Sequence, residues 1–128
     1  MSASAYDFVL PAGKVVIFGD SRPHDPFERL IGLENTDAYR PVIFDAMAKE
    51  KADVIFHAGD IVTVGALKSN FWKWTGWETF RREVCAVMGC GPNFFPAIGN
   101  HDYGNFLAHV PPLKTRALRN YFEQFPHL

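Results

Sequence analysis

Three short segments carry carboxylates directly behind apolar runs: Phe18-Gly19-Asp20-Ser21-Arg22, Gly59-Asp60-Ile61-Val62 and Gly99-Asn100-His101-Asp102. An isolated Gly-Asp ordinarily marks a turn or a helix cap, but three such segments behind three apolar runs suggest a common site. In an open parallel sheet the loops leaving the carboxyl ends of the strands share one edge, where segments far apart in sequence converge. Ionised carboxylates drawn into one cleft repel, and a shared divalent cation relieves the repulsion. Asp20 and Asp60 are therefore candidate metal ligands, and the two carboxylate oxygens of Asp60 allow it to face two ions. Asn100 adds a neutral amide oxygen, suited to a cation already surrounded by carboxylates. His101 can ligate, or give a proton to a leaving oxygen near neutral pH. Asp102 either orients that imidazole or holds its own loop through backbone hydrogen bonds.

The elements that must position these residues read as α/β. Lys14 to Phe18 (KVVIF) and Ala52 to His57 (ADVIFH) are short, β-branched apolar runs expected as buried strands, and the segment between them is long enough for a βαβ crossover. Asn93 to Ile98 (NFFPAI) is a third strand, which Pro96 shortens or displaces to an edge. A helix is expected from Thr36 or Asp37, or from Tyr39 or Arg40 if Pro41 is to sit in the first turn, as far as Glu50, with Tyr39, Val42, Ile43, Ala46 and Met47 as its apolar stripe. A second runs from Trp77 to Met88, with Phe80, Val84, Val87 and Met88 inward and Gly89, Gly91 and Pro92 ending it. After Pro111-Pro112 a short helix is expected from Thr115 to Phe122, with Leu118, Tyr121 and Phe122 packing. Residues 21–35 read as an irregular loop partly packed on the body through Phe27, Leu30, Ile31 and Leu33. Phe71, Trp72, Trp74 and Trp77 read as packing residues rather than a substrate wall.

Composition narrows the class. The chain has 128 residues, 48% of them hydrophobic, which is enough for a real core and argues against disorder. A formal net charge of -1 gives no global field for nucleic acid or an anionic membrane, so any phosphate affinity is local. Cys85 and Cys90 do not form a Cys-x-x-Cys pair and read as free thiols at a helix end. With neither an apolar membrane span nor a basic-then-apolar leader in the first residues, the expected location is cytoplasmic.

The string Gly99-Asn100-His101-Asp102, with Gly59-Asp60-Ile61-Val62 upstream and Gly19-Asp20 at the end of the first strand, resembles the calcineurin-like metallophosphoesterase superfamily over residues 14 to 110. The resemblance implies an α-β-β-α sandwich that hydrolyses a phosphomonoester or phosphodiester at a centre of two divalent ions, of Mn, Fe, Zn or Mg. By resemblance Asp20 binds the first metal, Asp60 bridges both, Asn100 binds the second, His101 stands beside the leaving group and Asp102 supports it. Two departures stand out. The family's first motif reads Asp-x-His, and here the third position is Arg22, a permanent cation without an acceptor that cannot ligate. Arg22 can instead pair with a phosphate oxygen or with Asp20, or hold the loop as an ion pair. The family's later Gly-His-x-His segment has no counterpart, and His109 and His127 receive no role.

These departures lead to the expectation that residues 1–128 are the amino-terminal part of one phosphoesterase domain. Its second sheet and remaining ligands would come from a missing carboxy-terminal half or another chain, and the 128 residues alone would be weakly active or inactive. The expected partner is a small phosphate ester, with no membrane and with nucleic acid disfavoured. A non-catalytic binding or regulatory domain on the same scaffold is the alternative. A dinucleotide binder is disfavoured because the loop after KVVIF reads GDSRP, without the glycine series that admits a pyrophosphate.

Overall fold

A computed structural model describes residues 13–24, 26–32, 37–69, 76–104 and 109–128. Three parallel strands, β1 (Val15–Phe18), β2 (Val54–His57) and β3 (Phe94–Pro96), form a sheet in the order β1-β2-β3. Phe18 pairs with His57, and His57 with Pro96, so the strands finish level. The chain therefore leaves all three at one edge, carrying Gly19-Asp20, Gly59-Asp60 and Gly99-Asn100. Pro96 is at the end of β3, an edge strand of the described sheet, where its missing N–H breaks no central ladder.

Side chains alternate across the sheet. Phe18, Ile55, His57 and Phe94 face the helices, and Phe18 meets the rings of His57, Phe44 and Phe94 at centroid distances of 4.5, 6.3 and 6.4 Å. Val15, Ile17, Phe56 and Phe95 occupy the other face, where Ile17 is 72% exposed. The helical elements are α1 (Pro26–Leu30), α2 (Arg40–Lys49), α3 (Trp77–Phe80), a π-helical turn (Arg81–Cys85) running into α4 (Ala86–Met88), α5 (Asn100–Tyr103) and α6 (Pro111–Gln124), of which α2, α3, the π turn, α4 and α6 pack on the covered side. Phe44, Ile55, Ile61, Val62, Trp77, Phe80, Val84, Phe94, Tyr121 and Phe125 make the main core. Ile61 and Val62 thus anchor the Asp60 loop in the core from which the sheet is built.

Several expectations are corrected. On α2 the buried residue is Phe44, while Tyr39, Val42 and Ile43 are exposed. The helix is rotated because Phe44 seeks the aromatic cluster, and Arg40, one turn earlier, turns inward to Glu83 Oε2 at 2.8 Å and to the Ser21 carbonyl. Phe27, Leu30 and Ile31 are exposed rather than packed, and Leu33 lies outside the described residues. The last helix begins at Pro111, not Thr115, since a first helical turn has no use for the N–H that proline lacks. Cys85 and Cys90 form a disulfide rather than two free thiols: Gly89, at φ 76, turns the chain back so that their Cα atoms stand 5.0 Å apart. Trp77 is fully buried, as a packing residue should be, and Phe71, Trp72 and Trp74 lie outside the described residues. Among the described residues no helix is long and apolar enough to cross a membrane.

At the end of α6 the packing role expected of Phe122 belongs to Phe125. Its ring stacks on Phe94 at 5.8 Å and meets Phe80 and Tyr121 at 5.8 and 5.2 Å, whereas Phe122 is 56% exposed. Phe125→Ala should destabilise by about 3–5 kcal/mol and Phe122→Ala by less than about 1 kcal/mol, measured by urea unfolding. Equal effects would contradict this packing.

Candidate metal and catalytic site

The three loops are joined by hydrogen bonds from their backbones. Asp20 N–H donates to the Gly59 carbonyl at 2.9 Å, Arg22 N–H to the Asp60 carbonyl at 3.1 Å, and the Thr63 hydroxyl to the Pro23 carbonyl at 2.7 Å. Asp20 and Asp60 both take left-handed backbone angles, at φ 49 and φ 55. The turn is shared by Gly59, at φ 98, and by the aspartates, whose short polar side chains tolerate the conformation. Gly99 is required by space, because a Cβ there would collide with the backbone nitrogen and Oδ1 of Asp60.

Asp102 takes the second of its two expected alternatives. Its carboxylate is fully buried; Oδ1 accepts the N–H groups of Ile61 and Val62 at 2.8 and 3.0 Å, and Oδ2 that of Gly99 at 2.9 Å. It thus ties the Asp60 loop to the start of α5, and the Gly99 bond is the reach-back of a helix N3 carboxylate to its N-cap. Burial pushes Asp102 up to about 6, against the lowering effect of the three N–H donors, with the charge of Asp60 adding to the rise. The imidazole of His101 is oriented by a different group: Nδ1 bonds the Thr63 carbonyl at 3.0 Å, which requires Nδ1–H and leaves Nε2 as the functional end of the ring. The backbone N–H of His101 donates to Asp60 Oδ1 at 3.0 Å, so the candidate ligand is tied to the main chain at the start of α5. Asn100 precedes His101 at the first position of α5.

Gly65 links this assembly to the helices. Its N–H donates to the His101 carbonyl at 3.1 Å, and its carbonyl accepts Trp77 Nε1–H at 2.9 Å and Asn120 Nδ2–H at 3.0 Å. His57, under the Asp60 loop, bonds rather than ligates. Nδ1 accepts Gly59 N–H at 3.1 Å, so the other nitrogen carries the proton and donates it to Ser21 Oγ at 2.7 Å. Burial holds His57 down at about 4, and the charge of Asp60 opposes only part of that.

Arg22 holds its loop. Its terminal nitrogens bond both oxygens of Glu28 at 2.8 and 2.5 Å, and its Nε stands 3.6 Å from Asp20 Oδ1. Its pKa is raised, first by the Glu28 hydrogen bond and then by the charges of Glu28, Asp20 and Asp60, against an opposing effect of burial. Glu28, Thr63 and Gly65 were not anticipated. Glu28 lies in a segment read as irregular loop, and Thr63 and Gly65 act through backbone atoms, which no residue type announces.

Asp60 and Asn100 suit a hard divalent ion, since a carboxylate with one hydrogen bond keeps lone pairs for ligation and an amide oxygen adds a neutral donor. Asp20 differs in that Arg22 Nε stands 3.6 Å from its Oδ1. Among the described residues no three His, Cys, Asp or Glu side chains form a metal-binding group.

A family model described as calcineurin-like phosphoesterase matches residues 13–127. No curated protein and no solved structure matches the chain.

Two outcomes follow from the buried groups. Asp102→Asn leaves one acceptor oxygen for three N–H donors and should cost about 2–4 kcal/mol at neutral pH, with loss of amide-exchange protection at Ile61, Val62 and Gly99. A cost below about 0.5 kcal/mol relative to wild type would contradict the tether. The pH dependence has two limbs. The depressed pKa of His57 contributes stability present above 6.5 and lost as pH falls toward 4, on the order of 3 kcal/mol. The raised pKa of Asp102 contributes stability present below 3.8 and lost as pH rises toward 6. The limbs oppose, so His57→Gln should unmask the second and become less stable from pH 4 to 6 in urea titrations, while an unchanged slope would refute the assignment.

Proposed function

This chain belongs to the calcineurin-like phosphoesterase family, and from that premise we propose that it serves metal-dependent hydrolysis of a small phosphomonoester or phosphodiester. The observation that supports the reading is the hydrogen bond from the His101 backbone N–H to Asp60 Oδ1, which ties the loop of a metal-suited carboxylate to the helix start that carries an oriented imidazole. Mn, Fe, Zn and Mg all suit the donors, and a divalent ion at Asp60 and Asn100 would polarise a phosphoryl oxygen and lower the pKa of water.

The chain's own residues do the rest. The Thr63 carbonyl fixes Nδ1–H of His101, so a second proton is carried on Nε2, from which it passes to the departing ester oxygen. Asp102 acts at one remove, holding the Ile61–Val62 and Gly99 backbones in register so that Asp60 and His101 meet. Arg22, with its terminal nitrogens on Glu28, positions the Asp20 loop, and phosphate contact would have to come through rearrangement of that clamp. The reading includes a second polypeptide segment, from this protein or another chain, that supplies histidine ligands and covers the exposed Val15 and Ile17 face.

The placement of Arg22 favours one other reading, a domain that binds a phosphate ester without turning it over. Aryl phosphate and diester hydrolysis separates the two. The proposal predicts manganese-dependent turnover that chelation abolishes, that His101→Gln lowers about 10²–10⁴-fold, and that Asp60→Asn removes. Binding of phosphate without turnover in wild type would favour the binding domain.

A further inference from the structure

The guanidinium of Arg22 is placed where it must compete with a cation at Asp20. Its head is fixed by both oxygens of Glu28, with both side chains largely buried. Its backbone N–H is fixed on the Asp60 carbonyl. Between these two attachments Nε is buried, has no hydrogen-bond partner among the described residues, and stands 3.6 Å from Asp20 Oδ1. A guanidinium keeps its charge at any working pH and offers no lone pair, so it cannot ligate a metal or step aside by losing a proton. An ion ligated by Asp20 Oδ1 at about 2 Å could be no farther than about 6 Å from Nε, with two like charges contending for one carboxylate.

We propose that Arg22 is the resident cation of Asp20, taking the place of one divalent ion, and that the protein holds a single ion, at Asp60 and Asn100. The inference rests on the metallophosphoesterase reading and departs from the family's two-ion arrangement. Its physical basis is charge. Asp20 faces a positive side chain that the fold itself clamps, 3.6 Å away, whereas the Asp60 carboxylate accepts the backbone N–H of His101. Glu28 is part of the device: by absorbing the hydrogen bonds of the guanidinium head, it holds Nε toward Asp20.

Counting bound manganese tests this without reference to turnover. Titration of the purified protein with Mn(II), followed by the electron paramagnetic resonance of the free ion, should give one equivalent per chain in wild type and none in Asp60→Asn. Arg22→His removes the charge and adds a ligand, and should admit a second equivalent. Arg22→Gln removes only the charge, and should admit a second equivalent more weakly, so the test survives if one variant fails to fold. Two equivalents in wild type, or one in wild type and in both Arg22 variants, would overturn the proposal while leaving metal-dependent hydrolysis standing. No manganese on any of these proteins would overturn both.

Discussion

The site depends on one buried carboxylate. Asp102 has no solvent exposure, and its three hydrogen bonds all go to backbone N–H groups, two in the Asp60 loop and one at the head of α5. Burying an ion is costly unless hydrogen bonds offset the lost hydration. Here they do so only in part, which is why the pKa of Asp102 still stands well above its ordinary value. The return on that cost is positional: two loops some forty residues apart in sequence are held to within a hydrogen bond of each other, and Asp60 meets His101 N–H as a result. Gly99 and Gly65 make the approach possible, since a side chain at either would enter the backbone of the opposing loop.

A second constraint acts at the other end of the site and is electrostatic. Asp20 and Asp60 are brought side by side by backbone bonds between their loops, and both adopt left-handed angles to get there. Such a pair of carboxylates calls for positive charge. At Asp20 the fold supplies it from Arg22, oriented by Glu28. Asp60 feels the same guanidinium at longer range and also accepts the N–H of His101. The two carboxylates are thus chemically unequal.

Much of this was legible in the sequence because the strands are short β-branched runs with abrupt ends. KVVIF and ADVIFH specify parallel strands, and the glycine soon after each specifies the exit, so convergence of the three loops followed from strand order; the burial expected of both is met by β2 but not by β1, whose Val15 and Ile17 are exposed. The bounds of the helix from Trp77 to Met88 were readable because Gly89 stops it. The choices between alternatives were not readable. Whether Asp102 serves an imidazole or a backbone depends on which N–H groups lie within 3 Å, and whether Arg22 faces phosphate or Glu28 depends on how a loop folds back six residues later. The inward face of α2 escaped the periodicity because Arg40, a polar residue, shares the buried side with Phe44. The disulfide escaped because it turns on the backbone angle of Gly89.

The most direct measurement is the anomalous diffraction of crystals grown with manganese. The account predicts one peak per chain, ligated by the Asp60 carboxylate and the Asn100 amide oxygen, with Arg22 still paired to Glu28 and no ion on Asp20. A pair of peaks bridged by Asp60, or a single peak on Asp20 with Arg22 swung away, would contradict it.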